Sequence, residues 1–280
     1  MVGVLGVSAS AILVRFSQAP SGVTAAYRLG WTVLLLLPVV LLRCRAELRR
    51  VTARDLVLCG ASGVLLALHF LTWFESLKRT SVASSTVLVS TEVIFTALGF
   101  ALFLHGKIPR LGVWAILLAF GGSALLALSG GGGAGELSGN LLALAAASAA
   151  AVYTLIGRIQ RGHLSTTVYT FLTYLACFLT LLLGTAAAGT PLTGYGGREW
   201  LIGLALAVLC TLLGHSLFSW CLKYLSPSYV SAAKLCEPVF SSLAAIPLFG
   251  EVPGPLQLAG GAAVLGAVLL YTWAEREKTP

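Results

Sequence analysis

Long apolar stretches alternate with short polar connections along the whole sequence. A helix that crosses a bilayer needs about 20 mostly apolar residues. Ten stretches meet or nearly meet this length: 2–16, 22–42, 53–74, 81–104, 110–129, 137–157, 165–188, 200–222, 227–249 and 255–273. Breaks with Gly and Pro separate several of them, such as residues 18–22 and 250–255. The pattern predicts an all-α integral membrane protein of ten transmembrane helices without a soluble domain.

The first stretch is short enough to be a signal peptide, which is the alternative to a membrane helix. It has no basic residues before its apolar part, whereas signal peptides begin with them. The internal repeat described below also needs a helix at this position. We therefore expect residues 2–16 to form the first transmembrane helix.

The composition agrees with a protein that lives in lipid. Hydrophobic residues make up 58% and charged residues 10% of the chain, against about 45–50% and 25% in soluble domains. The net charge of +8 could indicate a nucleic-acid partner, but no basic domain or RNA-binding motif accompanies it. We expect no nucleic-acid partner and attribute the excess positive charge to membrane topology.

Lysine and arginine residues are distributed unequally between the two sides of a ten-helix layout. With the N-terminus in the cytoplasm, 12 lie inside and 4 outside, and Arg28 and Lys234 fall within helices. The inside set is Arg43, Arg45, Arg49, Arg50, Arg54, Lys107, Arg110, Arg158, Arg161, Lys223, Arg276 and Lys278; the outside set is Arg15, Lys78, Arg79 and Arg198. Because basic residues favour the cytoplasmic side, we expect a multi-pass protein of a bacterial inner membrane with both termini in the cytoplasm.

Residues 67–104 and 213–249 have similar sequences at an offset of about 145 residues. Each stretch has a histidine, a tryptophan, a short polar break and a glutamate within a helix; the matching pairs are His69 and His215, Trp73 and Trp220, and Glu92 and Glu237, with Tyr27 and Tyr169 in similar earlier places. The repeat therefore contains five helices, an odd number, so its second copy must be inverted in the membrane. Many transporters use this design to place a solute site near the middle of the bilayer. A duplication without consequence for transport is the alternative.

The repeat divides the chain into four parts. We predict a first five-helix repeat at 1–129, a Gly-rich connection at 130–136, a second repeat at 137–274 and a cytoplasmic tail at 275–280.

Several motifs in both halves match a known family. They are residues 8–15 with Tyr27, Arg28 and Pro38; His69-Phe-x-x-Trp73 continuing to Thr86; Gly214-His-Ser continuing through Trp220 to Pro227; Val230-Ser231; Glu237-Pro238; and Gly250-Glu251. In this order they resemble the EamA-type ten-helix members of the drug/metabolite transporter superfamily. The resemblance implies a secondary carrier, usually an exporter of amino acids or other metabolites, with two five-helix bundles around a central cavity. Glu92, where relatives often have Pro, and Lys107, where Glu is common, depart from the family pattern.

Four charged residues lie away from the ends of the predicted helices: Arg28, Glu92, Lys234 and Glu237. Each would cost about 3 kcal/mol at a helix centre without partners, so we expect the two cations and two anions to neutralise one another or to contact water. Lys234 and Glu237 are three residues apart and can meet on one helix face. Pro238 cannot donate an N–H to the Lys234 carbonyl and predicts a helix kink there. A binding point for the solute and an ion pair that only fixes helix packing are both compatible with this arrangement.

Histidines and aromatic residues complete the candidate site. His69 and His215 could relay protons, although a hydrogen bond to a neighbouring helix is the interpretation that we favour. Tyr27, Trp73, Tyr153, Tyr169 and Trp220 could line an aromatic cavity or anchor helices at the membrane surface. The predicted substrate-binding set is Tyr27, Arg28, His69, Trp73, Glu92, Tyr153, Tyr169, His215, Trp220, Lys234 and Glu237. Gly121, Gly122, Gly260, Gly261 and Gly266 are expected to permit close helix contacts.

Our leading hypothesis is an alternating-access exporter of amino acids or amine-bearing metabolites. Glu92 and Glu237 are candidate partners for protons or an ammonium group, and Arg28 or Lys234 for a carboxylate. A multidrug or cation exporter and an uncoupled facilitator are alternatives within the transporter class. An intramembrane enzyme that uses His69, His215 and the acids, or a lipid-handling protein, are alternatives outside it.

We do not expect an enzyme, because the sequence has no HExxH or GxSxG motif. The six cysteines have no zinc-ligand spacing, so we expect neither a metal nor another cofactor. The expected partners are a small solute, protons and the lipid bilayer, for a protein that works as a monomer or a homodimer.

Overall fold

The structure consists of helices and their connections. It is a computed structural model that describes residues 2–103, 108–129, 134–217 and 236–276, with no strand among them. The helices are α1 Val2–Phe16, α2 Ser21–Arg43, α3 Arg45–Leu48, α4 Ala53–Arg79, α5 Val82–Val89, α6 Glu92–Phe103, α7 Arg110–Ser129, α8 Ala134–Gln160, α9 Thr166–Ala187, α10 Gly197–Ala205, a π-helix Leu206–His215, α11 Cys236–Phe249 and α12 Pro255–Arg276.

Within the described part of the chain, seven segments are long and apolar enough to cross a membrane: Ser21–Arg43, Ala53–Arg79, Val82–Gly99, Gly135–Gln160, Thr166–Ala187, Gly197–His215 and Pro255–Ala274. Three shorter apolar helices, Gly6–Phe16, Arg110–Leu126 and Glu237–Phe249, occupy the remaining predicted positions. The prediction of an all-α membrane protein is confirmed, whereas the number ten stays a prediction. Large apolar side chains such as Leu42, Val57, Trp114 and Leu128 are exposed on the outer helix surfaces, where lipid tails would cover them.

The fourth predicted helix, at 81–104, contains a turn at residues 90 and 91 that separates α5 from α6, although Val82–Gly99 is still long and apolar enough to cross a membrane. The Ser90 hydroxyl donates to the Thr86 carbonyl at 2.9 Å, and the Thr91 hydroxyl donates to the Leu88 carbonyl at 2.6 Å. Such bonds compete with the helical hydrogen-bond pattern. Glu92 consequently lies at the start of α6 rather than in the middle of a helix.

The eighth predicted helix also departs from regular α geometry. Gly197–Ala205 is α-helical, but the next ten residues, Leu206–His215, form a π-helix. The Thr211 hydroxyl donates to the Leu206 carbonyl at 3.3 Å, five residues back. Helices of this kind are rare and occur frequently at functional sites.

Helix α4 is central to the bundle, because it packs against both α8 and α9. Helix α2 packs on α9, and α1 packs on the π-helix and on α11. Helices α7 and α12 form a separate close pair. A Cβ atom at Gly122 would lie 2.9 Å from the Gly260 carbonyl oxygen, and one at Gly260 would lie 2.9 Å from the Gly122 oxygen. The prediction of close helix contact is thus confirmed for these two glycines, but it was wrong for Gly121 and Gly266, which have open space beside them.

Candidate solute-binding site

Arg28 is the largest fully buried side chain in the described part of the protein, with 0% of its surface exposed. It lies on α2. Its Nε donates to the Thr211 hydroxyl of the π-helix at 2.9 Å, and its Nη1 donates to the Ser10 hydroxyl of α1 at 3.1 Å. The guanidinium carbon is 4.3 Å from the centre of the Phe70 ring on α4. Four helices therefore hold this one cation.

Among the described residues, no carboxylate is directly bonded to Arg28. Among the described residues, the ion pairs are Arg15 with Glu251 and Arg79 with Glu75. Arg28 Nη2 is buried and has no hydrogen-bond acceptor in that part of the chain. The direct hydrogen-bond partners of Arg28 among the described residues are hydroxyl groups, and the mutual neutralisation of the four intramembrane charges stays a prediction.

Glu237 nevertheless lies near the Arg28 guanidinium. The groups close enough to act on Arg28 electrostatically are Cys210, Tyr174, Cys177 and Glu237. Glu237 is half-buried in the first turn of α11 as described, and Pro238 beside it is buried. A cation with an unused donor and an anion thus lie in the same region of the bundle, contributed by helices distant in sequence.

Glu92 and Tyr153 lie at the contact between α6 and α8. The Thr154 hydroxyl donates to Glu92 Oε1 at 2.8 Å, so the described partner of this carboxylate is a hydroxyl rather than a cation. Tyr153 packs against two apolar clusters, one that contains Tyr174 and one that contains Tyr169.

His69 connects α4 to α8. Its Nδ1 lies 3.0 Å from the Ala146 carbonyl oxygen, and because a carbonyl can only accept, this nitrogen carries the proton. The preferred interpretation, a hydrogen bond to a neighbouring helix, is confirmed for His69. Trp73 stacks on the His69 ring at 5.8 Å, and its buried Nε1–H has no acceptor among the described residues.

Tyr27 and Tyr169 do not share one cavity. Tyr27 stacks on Trp200 with ring centres 4.0 Å apart, and its hydroxyl donates to the Leu192 carbonyl at 2.5 Å, beyond the C-terminal end of α9. Tyr169, near the N-terminal end of α9, shares a 2.8 Å hydrogen bond with the Ser62 hydroxyl. Of the two alternatives for the aromatic residues, a common cavity does not apply to this pair, because each ring satisfies its hydroxyl at a different end of the bundle.

The remaining predicted site residues are only partly described. His215 is half-buried at the C-terminal end of the π-helix. Trp220 and Lys234 lie outside the described residues, so the Lys234–Glu237 pair and the kink before Pro238 stay predictions. The described residues contain no group of three or more His, Cys, Asp or Glu side chains that could hold a metal ion.

Sequence reasoning missed three features of this region. Ser10 and Thr211, which hold Arg28, are small hydroxyl residues inside apolar stretches and give no distinct signal. The third is a polar cluster at the end of α1, where Arg15 pairs with Glu251 and donates to the Leu77 carbonyl at 2.5 Å. Arg15, the sole charged residue of the first apolar stretch, was the available signal for this cluster.

Comparison with known proteins gives the family. The EamA-like transporter family model matches residues 1–128 and 137–273. The pseudopaline exporter CntI of Pseudomonas aeruginosa is 24% identical over 207 residues, covering 74% of this chain and 72% of that protein. A probable terminal-alkyne amino-acid exporter of Streptantibioticus cattleyicolor is 28% identical over 233 residues, covering 79% and 75%.

The threonine/homoserine exporter RhtA of Escherichia coli is 26% identical over 167 residues, which cover 60% of this chain and 56% of RhtA. A protein of known crystal structure is 18% identical in sequence and superimposes on this chain with a TM-score of 0.65. The match covers 97% of this chain and 94% of that protein, so the two chains share a fold. The chain belongs to the EamA-like transporter family.

Proposed function

We propose that this protein is a secondary transporter that exports small amino-acid-like metabolites by alternating access. Membership of a transporter family supports the general activity. Three relatives are named as exporters of pseudopaline, of a terminal-alkyne amino acid, and of threonine and homoserine. The structural observation that carries the proposal is Arg28, a fully buried cation whose Nη2 has no acceptor among the described residues.

A buried charge of this kind is costly in a membrane protein and is commonly associated with a solute or ion pathway. The helices around Arg28 supply hydroxyl groups and an aromatic ring, and Glu237 lies near enough to act on its charge. A cation and an anion in one region between helices suit a solute that itself carries both charges. An amino acid has this property, whereas a cationic drug would need only the acids.

Transport by alternating access requires two parts that can move against each other. In our proposal these are the inverted repeats at 1–129 and 137–274, joined by the connection at 130–136, and the solute binds between them near the middle of the membrane. Arg28 belongs to the first repeat, and both Thr211 and Glu237 belong to the second. Glu92 and Glu237 are the groups that we propose to bind protons or the ammonium group of the solute. Both termini, including residues 275–280, face the cytoplasm of the inner membrane.

Counterflow in liposomes tests this proposal. Purified protein is reconstituted with unlabelled amino acid inside, and uptake of each labelled L-amino acid, L-homoserine and ethidium from outside is measured. We expect amino-acid counterflow that is lost in Glu237→Gln and kept in Glu136→Gln, a matched control in the first turn of α8. Transport of ethidium alone would contradict the proposal and favour a multidrug exporter. Equal amino-acid transport by Glu237→Gln and the native protein would remove Glu237 from the mechanism.

A further inference from the structure

We propose that Arg28 binds the carboxylate group of the solute, and that Ser10 and Thr211 hold its guanidinium in position for this. The inference rests on the proposed function and identifies the chemical group by which the site recognises its substrate class. It distinguishes Arg28 from Glu92 and Glu237, which the proposed function assigns to protons or the ammonium group.

The number of N–H groups on Arg28 leaves donors free for a ligand. An arginine has five N–H groups in a planar fork. The Nε–H is used by Thr211, and one N–H of Nη1 is used by Ser10. Nη2 has no acceptor in the described part of the chain, and this nitrogen is buried. The free end of the fork is therefore directed into the protein interior rather than into solvent.

The surroundings fix the orientation of the guanidinium without cancelling its charge. Two neutral hydroxyls accept hydrogen bonds from it, and the Phe70 ring lies against it at 4.3 Å. Neither of the ion pairs in the described residues includes Arg28. A cation that is held rigidly but left unpaired is preorganised for an anion that arrives with the solute. A carboxylate is the anion that best fits such a fork, because its two oxygens can accept two parallel hydrogen bonds.

The nearby acid limits which anionic solutes fit. Glu237 acts electrostatically on Arg28 and would repel a phosphate or dicarboxylate, which carries more than one negative charge. It would attract the ammonium group of a zwitterion whose carboxylate is on Arg28. The site therefore favours a monocarboxylate with an adjacent amine over other anions.

The π-helix contributes to this arrangement through Thr211. The single hydroxyl proton of Thr211 is donated to the Leu206 carbonyl at 3.3 Å, so the oxygen is left to accept from Arg28 Nε. The wider turn of the π-helix lets a side chain reach the carbonyl five residues back. Thr211 is thus a positioning residue: it acts on the solute through the orientation of Arg28.

The test compares ligands that differ only in the carboxylate. The first ligands are L-threonine, its methyl ester and its amide. Every other L-amino acid that the native protein transports is compared with its own ester in the same way. Competition in counterflow is measured for the native protein, Arg28→Gln, Arg28→Lys, and Arg79→Gln as a control on an exposed ion pair. We expect the apparent affinity of the native protein to be about 30-fold or more higher for the acid than for the ester, because loss of one partner of a buried charge pair has an effect of this size.

Arg28→Gln should remove this preference, because it should weaken binding of the acid. The apparent affinity for the ester should stay within about threefold of that of the native protein. Arg28→Lys should retain part of the preference, because it keeps the charge but not the fork, and Arg79→Gln should retain all of it. If Arg28→Gln does not fold, Thr211→Val provides the same comparison without removing the charge.

The two proposals fail in different ways. If the native protein transports amino acids and Arg28→Gln or Thr211→Val still prefers the acid to the ester as strongly, the carboxylate role of Arg28 is wrong while the proposed function stands. Equal competition by acid and ester in the native protein also overturns this role. If the native protein transports no amino acid, the proposed function is wrong and the role of Arg28 with it.

Discussion

Arg15 and Glu251 form an ion pair that joins the end of α1 to the connection between α11 and α12. Both partners also bind backbone atoms: Arg15 donates to the Leu77 carbonyl at 2.5 Å, and Glu251 accepts from the Val82 N–H at 2.8 Å. The pair therefore covers the C-terminal end of α4 and the N-terminal end of α5 at once. Four segments of the chain meet through these two side chains at one end of the bundle.

Replacing Glu251 by Gln should destabilise the protein by about 1–3 kcal/mol, because a partly buried Arg15 would lose its charged partner. Thermal unfolding of purified protein in detergent measures the change. Glu75→Gln is the control, since Glu75 pairs with Arg79 on an exposed surface and such pairs contribute about 0–1 kcal/mol. Equal effects of the two substitutions would show that the Arg15–Glu251 pair adds no particular stability.

Gly122→Ala should weaken the contact between α7 and α12, whereas Gly121→Ala should not. A Cβ at Gly122 would lie 2.9 Å from both the Gly260 oxygen and the Ala263 Cβ, while one at Gly121 meets nothing within 4 Å. We expect Gly122→Ala to lower the unfolding free energy by about 1–3 kcal/mol and Gly121→Ala to be neutral or stabilising, because alanine favours helix more than glycine does. Unfolding of the two variants in the same detergent gives a direct comparison, and a neutral Gly122→Ala would contradict the observed packing.

Thr211→Val should impair transport mainly by raising KM for solutes with a carboxylate. Valine has the shape of threonine but cannot accept the Arg28 Nε–H, which now bonds Thr211 at 2.9 Å. A loss of about 1–3 kcal/mol, or roughly 5- to 150-fold in KM, is expected for an unsatisfied buried donor. Thr211→Ser should restore most of the affinity, because it returns the hydroxyl. An unchanged KM in Thr211→Val, or failure of Thr211→Ser to restore it, would argue against a positioning role.

The predicted orientation can be tested with alkaline phosphatase, which is active only outside the cytoplasm. Fusions within residues 44–52, where Arg45, Arg49 and Arg50 are exposed, should be inactive. Fusions within residues 188–196, between α9 and α10, should be active. The opposite pattern would reverse the orientation that the basic residues predict.

Features that depend on long local patterns could be predicted from the sequence. The helix positions follow from extended apolar stretches. Arg28 could be identified as a candidate site residue, because a charge inside such a stretch must be accommodated. His69 was expected to bridge two helices and bonds Ala146. These predictions succeeded because one sequence segment carries the whole signal.

Features that depend on the choice of partner could not be predicted. At the turn before Glu92 the Ser90 and Thr91 hydroxyls bond nearby carbonyls, yet Thr86 and Thr170 make similar bonds within unbroken helices, so residue type alone does not predict the turn. Arg28 donates hydrogen bonds to Ser10 and Thr211, which belong to distant segments, rather than to an acid. Tyr27 stacks on Trp200, whereas Tyr169 bonds Ser62 at the other end of the bundle. Each outcome depends on three-dimensional distances between segments, which residue spacing does not contain.

The most direct test of the central claim is counterflow of labelled L-amino acids into liposomes that contain the native protein, Arg28→Gln or no protein. We predict that the native protein accumulates at least one L-amino acid well above the protein-free liposomes and that Arg28→Gln accumulates clearly less of the same amino acid. Accumulation no higher than in protein-free liposomes for every amino acid, with correctly folded protein, would contradict the account.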